Sequence, residues 1–115
     1  MTRREGKELL TKGESLSVGE YVEFAHMLHG NKWTFKLIRE EDRYAPFKYR
    51  LEGKGDSYGR HCRRYVTVEQ ALLHVVNNLN ENKNIRNRYT TLLDWIGEEE
   101  RVENEIKRQT YGDRN

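Results

Sequence analysis

Trp33-Thr34-Phe35-Lys36-Leu37 and Phe47-Lys48-Tyr49-Arg50-Leu51-Glu52 each alternate an apolar or aromatic residue with a polar one. A period of two places one row of side chains inward and the other in water, so each stretch reads as a half-buried strand. The first strand is expected over about 32–39 and the second over about 47–52. The polar run Glu40–Pro46 joins them and contains the only proline. A third strand is expected over about 61–66, with Cys62 sharing parity with Val66. Gly53-Lys54-Gly55-Asp56-Ser57-Tyr58-Gly59 reads as the flexible loop before it.

Helix signals flank this block. Ser17-x-x-Glu20 and Thr67-x-x-Gln70 have the form of capping boxes. After Ser17, the residues Val18, Tyr21, Val22, Ala25 and Leu28 recur at helical spacing, and Gly30 suits a C-terminal stop. A helix is expected over 18–29. After Thr67, Val68, Ala71, Leu72, Val75, Val76 and Leu79 form one stripe, which predicts a helix over 68–80. Asparagines at 77, 78, 80, 82 and 84 favour a turn. Ile85, Tyr89, Leu92, Leu93 and Ile96 predict another helix over about 85–96, closed by Gly97. Glu98-Glu99-Glu100 opens a polar helix over about 98–109, with Val102 and Ile106 its apolar pair.

The expectation is an α+β domain: a small three-stranded antiparallel sheet with helices packed on one face, in the order α-β-β-β-α-α, plus a polar C-terminal helix. Residues 1–15 are read as a mobile segment with at most a short helix, 16–97 as a single domain, and 98–115 as a polar helical tail. The expected core sets Trp33, Phe35, Leu37, Phe47, Tyr49 and Leu51 against Val75, Val76 and Leu79.

The order helix, three strands, helix over about 17–80 resembles that of a double-stranded-RNA-binding domain. In that family the last helix opens on a lysine cluster that grips phosphates. Here the same place reads Thr67-Val68-Glu69-Gln70, and the basic residues Arg60, Arg63 and Arg64 precede it. The resemblance thus implies an order of elements and not that family's site.

Composition sets bounds. Leu, Ile, Val and Phe make 25 of 115 residues, which is thin for a core, but the net charge is only +2. Disorder requires low hydrophobicity together with high net charge, so a folded chain is expected. A single cysteine, Cys62, excludes an internal disulfide framework. The N-terminus is charged, and no apolar run approaches the length needed to span a bilayer. These features set the expectation of a soluble cytoplasmic protein.

Chemical motifs are sparse. His26 and His29, or His61 and Cys62, lack the spacing of zinc ligands. The glycines at 53, 55 and 59 join two expected strands, whereas a dinucleotide fingerprint leads from strand to helix. Glu52-Gly53-Lys54 matches an element of some metal-dependent nucleases but would need a second carboxylate, such as Asp42, beside it. Cys62 would need a base such as His29, His61 or His74 to act as a nucleophile. No catalytic, metal-binding or cofactor-binding residues are assigned, and no enzyme activity is expected.

Charge is distributed unevenly. Residues 31–66 hold ten basic and five acidic side chains, while 98–115 hold four basic and six acidic. Such asymmetry is a clue to partners. The expected partner-binding patch is the outer sheet face, with Lys36, Lys48, Arg50, Arg63 and Tyr65. The first functional expectation is a small non-catalytic regulator, inhibitor or adaptor that binds a protein. The second is a nucleic-acid-binding module using the same face, and the third an unrecognised enzyme.

Overall fold

The computed structural model describes residues 1–80 and 86–98. The order is α1 (Arg3–Glu14), β1 (Tyr21–Leu28), β2 (Asn31–Arg39), a 3-10 turn (Asp42–Tyr44), β3 (Tyr49–Gly55), β4 (Arg60–Tyr65) and α2 (Val68–Val76). Residues 92–98 are also helical. The strands form an antiparallel meander, β1-β2-β3-β4. The α+β class and the antiparallel sheet are therefore as expected. The sheet has four strands and not three, and the helix order changes with it.

The additional strand occupies the expected helix 18–29. Its sequence carries both periodicities, and Phe24 decides between them. Phe24 is buried and stacks on Phe35 with ring centroids 5.1 Å apart, yet it lies outside the helical stripe. The Ser17–Glu20 signal is real but serves a turn. Glu20 accepts from the Ser17 N–H at 2.7 Å, and the Glu20 N–H donates to the Ser17 carbonyl. Gly19, at φ +88°, permits that turn. Gly30 is a hairpin residue and not a helix stop. His29 and Gly30 both have positive φ, as a two-residue hairpin between Leu28 and Asn31 requires.

Residues 3–14, read from the sequence as at most a short helix, form α1. The Thr2 side chain caps it by accepting from the Glu5 N–H. The buried stripe of α1 is Gly6, Leu9 and Gly13. A Cβ on Gly6 would lie 2.7 Å from the Trp95 ring, and one on Gly13 would lie 2.8 Å from Val68. The glycines thus set a close helix approach.

The inward row comprises Phe24 and Leu28 of β1, Phe35 and Leu37 of β2, Tyr49 and Leu51 of β3, and Tyr65 of β4. It packs with Leu9 of α1, with Val68, Ala71, Leu72, Val75 and Val76 of α2, and with Leu92, Trp95 and Ile96. Trp33 and Leu79 are partly buried against this cluster. Phe47 was expected inside but precedes β3 and is 43% exposed. Parity with Val66 would place Cys62 inside, but it is exposed on the opposite face. Strand β4 ends at Tyr65, so Val66, which set the expected parity, belongs to the bend into α2.

Thr67 caps α2 as expected, accepting from the Gln70 N–H, while the Gln70 side chain accepts from the Val66 N–H. The helix ends at Val76, earlier than the predicted 80, because Asn78 and Leu79 take positive φ. Asn77 then clamps the returning chain: its side chain donates to the Tyr89 carbonyl and accepts from the Tyr89 N–H. Thr91 and Asp94 form a reciprocal cap on the helical residues 92–98. Of the expected helix 85–96, Tyr89, Leu92 and Ile96 are buried, but Leu93 is 68% exposed. Ile85 and the expected C-terminal helix beyond Glu98 lie outside the described residues. Among the described residues no helix is long and apolar enough to cross a membrane.

Candidate functional site

The register sorts every strand residue onto a face. Opposite the core, three cross-strand rows succeed one another from one end of the sheet to the other. They are Ala25-Thr34-Lys54-Arg60, Glu23-Lys36-Glu52-Cys62 and Tyr21-Ile38-Arg50-Arg64. Lys32 lies beyond the first row, beside Met27. None of these side chains belongs to the buried cluster that binds the helices to the sheet. A shallow depression lined by Glu23, Thr34, Lys36, Glu52, Lys54 and Arg60, among others, lies on this face.

The two ends of this face differ electrostatically. At the end where β2 leads into the 3-10 turn, charges are paired. The Glu40 side chain is nearly buried and lies 3.1 Å from Arg50 Nη1 and 3.3 Å from Arg64 Nε. Arg50 Nε lies 3.0 Å from Glu52 Oε1 as a close ion pair without hydrogen-bond alignment. Arg64 also stacks on Tyr44, with its guanidinium carbon 4.0 Å from the ring centre. In the central row Lys36 lies between Glu23 and Glu52, and its ammonium sits 4.0 Å from the Tyr21 ring centre.

The other end is cationic. Lys54 and Arg60 are directly opposite each other, and Lys32 lies on the neighbouring strand. All three are exposed and make no ion pair with the described residues. Asp56, on the adjoining loop, is exposed and likewise unpaired; its backbone N–H holds the Lys32 carbonyl at 3.0 Å. Tyr58, in the same loop, is 90% exposed. Opposed like charges cost a sheet some stability, so this end of the face is the one left electrostatically unsatisfied by the fold.

The expected patch is therefore divided. Lys36 and Arg50 do share the outer face, with Lys48 exposed just ahead of β3. Arg63 and Tyr65 were expected beside them and instead lie on the helix side, opposite Leu51 and Tyr49. Tyr65 is buried there. Its hydroxyl bonds His74 Nδ1 and lies 3.0 Å from His61 Nε2. The sequence reading missed Lys32, Lys54 and Arg60. The signal for Lys54 was present, since the parity of Lys48, Arg50 and Glu52 continues to it; Gly53 and Gly55 hid the extension of β3.

Gly53 and Gly55 are strand residues for a packing reason. A Cβ on Gly53 would lie 2.6 Å from the Phe35 ring, and one on Gly55 would lie 3.1 Å from the Trp33 indole. The two aromatic rings of β2 thus lie across the backbone of β3. The glycine run is a hairpin, as the strand–loop–strand reading required.

The other motifs are dispersed. His61 and Cys62 are consecutive on β4 and face opposite sides of the sheet. Glu52 pairs with Arg50, whereas Asp42 pairs with Arg39 at 3.6 Å. Among the described residues no three His, Cys, Asp or Glu side chains gather as metal ligands. His26 lies on the helix side, edge-on to Trp95, with a buried Nδ1 that has no hydrogen-bond partner. Burial lowers its pKa, the nearby Met1 amino group and Arg3 act in the same direction, and a hydrogen bond with the Met1 backbone offsets them only in part.

Comparison of the chain with protein-family models, with curated proteins and with solved structures gave no significant match in any of the three.

Proposed function

We propose that this is a non-catalytic regulatory or adaptor protein that presents the sheet face opposite its described helices to an anionic macromolecule. One observation carries the reading: Lys54 and Arg60 oppose each other, with Lys32 close by, and among the described residues no carboxylate pairs with any of them. The rest of the face offers a contrast, because its arginines already have partners in Glu40 and Glu52. A cationic cluster beside paired charges raises the local concentration of anionic partners and speeds their encounter. The protein partner and the nucleic acid expected from the sequence would both use this cluster.

Retention on a sulfated polysaccharide matrix tests the reading. The double variant Lys54→Glu/Arg60→Glu is expected to elute at markedly lower salt than the parent protein. Arg4→Glu/Lys12→Glu on α1 changes net charge equally and is expected to elute close to the parent. Equal losses for the two variants would show that retention reflects overall charge and would refute a dedicated face.

A further inference from the structure

We propose that the cationic end of the face binds single-stranded nucleic acid, with backbone phosphates on Lys32, Lys54 and Arg60 and a base against Tyr58. The inference rests on the proposed use of the face opposite the described helices and names the class of its partner.

Four observations favour a nucleic acid over an acidic protein segment. First, the three cations lie on adjacent strands. Strand spacing of about 4.8 Å and a rise of about 3.3 Å per residue put them within reach of successive phosphates on one chain. Second, Thr34 and Ala25, the two other residues of that row, are small and leave room for a backbone to lie close to the sheet. Third, Tyr58 sits in the loop joining the strands of Lys54 and Arg60 and is 90% exposed. An aromatic ring in water beside a phosphate-binding cluster is a stacking platform for a base of any identity. Fourth, Glu23 and Glu52 line the depression next to the cations. These carboxylates disfavour further anions of either kind, but they can accept hydrogen bonds from the exocyclic amino groups of bases, which a side-chain carboxylate of an acidic peptide cannot donate. A duplex keeps its base faces stacked inside, so Tyr58 favours a single strand.

The test is fluorescence anisotropy with a labelled single strand of about a dozen mixed nucleotides, the matching duplex, and labelled polyglutamate, each across a salt series. The single strand is expected to bind with affinity that falls linearly on a log–log plot against salt, and replacing each cation by glutamine is expected to lower the slope by about 0.7. Lys54→Glu/Arg60→Glu is expected to abolish binding, and Tyr58→Ala to weaken it by roughly five- to 150-fold. An unchanged affinity for Tyr58→Ala, or equal binding of the duplex, overturns the single-strand assignment. Polyglutamate binding as tight as the oligonucleotide and sensitive to the same reversals overturns the nucleic-acid inference but leaves the binding face standing. If no polyanion binds through Lys54 and Arg60, both readings fall.

Discussion

Lys54 on β3 and Arg60 on β4 are cross-strand partners, two cations facing each other beside the hairpin that joins their strands. Opposed like charges are destabilising, and opposite charges at the same positions are favourable. Lys54→Glu should therefore raise the stability of the isolated protein by about 0.5 kcal/mol, less at high salt. Melting curves at low and high ionic strength check this. A stabilised variant that has lost partner binding would show that the pair exists at the expense of the fold. A destabilised one would mean that the two side chains already diverge into solvent.

Glu40 joins β3 and β4 through Arg50 and Arg64. Removing a nearly buried carboxylate leaves two partly buried guanidiniums short of an acceptor, so Glu40→Ala should cost about 1–3 kcal/mol. Arg50→Glu should be costly as well, because it would bring a third carboxylate up to Glu40 and Glu52. Lys48→Glu, at an exposed position with no ion pair among the described residues, should stay within about 0.5 kcal/mol. From the sequence alone, Lys48 and Arg50 look like equivalent outward cations; urea denaturation of the two single variants should separate them.

The two capping boxes predict different outcomes. The Thr67 hydroxyl accepts from the Gln70 N–H at 3.1 Å at the start of α2, so Thr67→Ala should cost about 1 kcal/mol. At Ser17 the bond to Glu20 is made by the backbone N–H, which alanine retains. Ser17→Ala should change the melting midpoint little, whereas Gly19→Ala, forced to φ +88°, should lower it. A large loss at Ser17 would contradict the turn geometry.

These contrasts explain what was legible in the chain. The alternation in 33–37 and 49–52, the stripe of α2 and the Thr67 cap each had one physical reading, and they gave two strands, most of the inner row and the main helix, whereas Phe47 fell outside the strand. Residues 18–29 had two readings. A capping box, an apolar spacing of three and four and a terminal glycine fit a helix as well as they fit a turn, a strand and a hairpin. Only the partner strand, which buries Phe24 on Phe35, decides between them. Helix α1 was hidden because two of its three buried positions are glycines, which hydrophobic patterning does not count. The candidate site suffered from the same cause. Gly53 and Gly55 looked like loop residues, so Lys54 lost its place on the face, and a one-residue error of phase in β4 exchanged Arg60 for Arg63.

Gly6 and Gly13 lie on the packed side of α1 with no room for a methyl group. Alanine at either position would gain about 1 kcal/mol of helix propensity. It would also set a Cβ 2.7 Å from Trp95 or 2.8 Å from Val68, inside ordinary van der Waals contact. Overpacking of a close interface costs about 1–3 kcal/mol, so both substitutions should be net destabilising. Circular dichroism melts provide the measurement. A rise in stability at Gly13 would show that α1 can slide away from the sheet without penalty.

His26 makes stability depend on acidity. Its imidazole is partly buried, its Nδ1 has no partner, and burial together with the Met1 amino group and Arg3 lowers its pKa below the ordinary histidine value. The unfolded chain, with a histidine pKa near 6.5, then binds a proton more readily than the folded one. Where the unfolded state binds more protons, stability rises with pH. The folded protein should therefore lose stability as pH falls from about 7.5 through 6.5 and on toward the lowered folded value, below which this contribution levels off. His26→Gln cannot be protonated in this range and should reduce the slope. Both proteins share His29, His61 and His74, so the difference between their stability–pH curves isolates the one ring. Parallel curves between about pH 7.5 and 5.5 would mean that His26 gains a proton as readily in the fold as out of it.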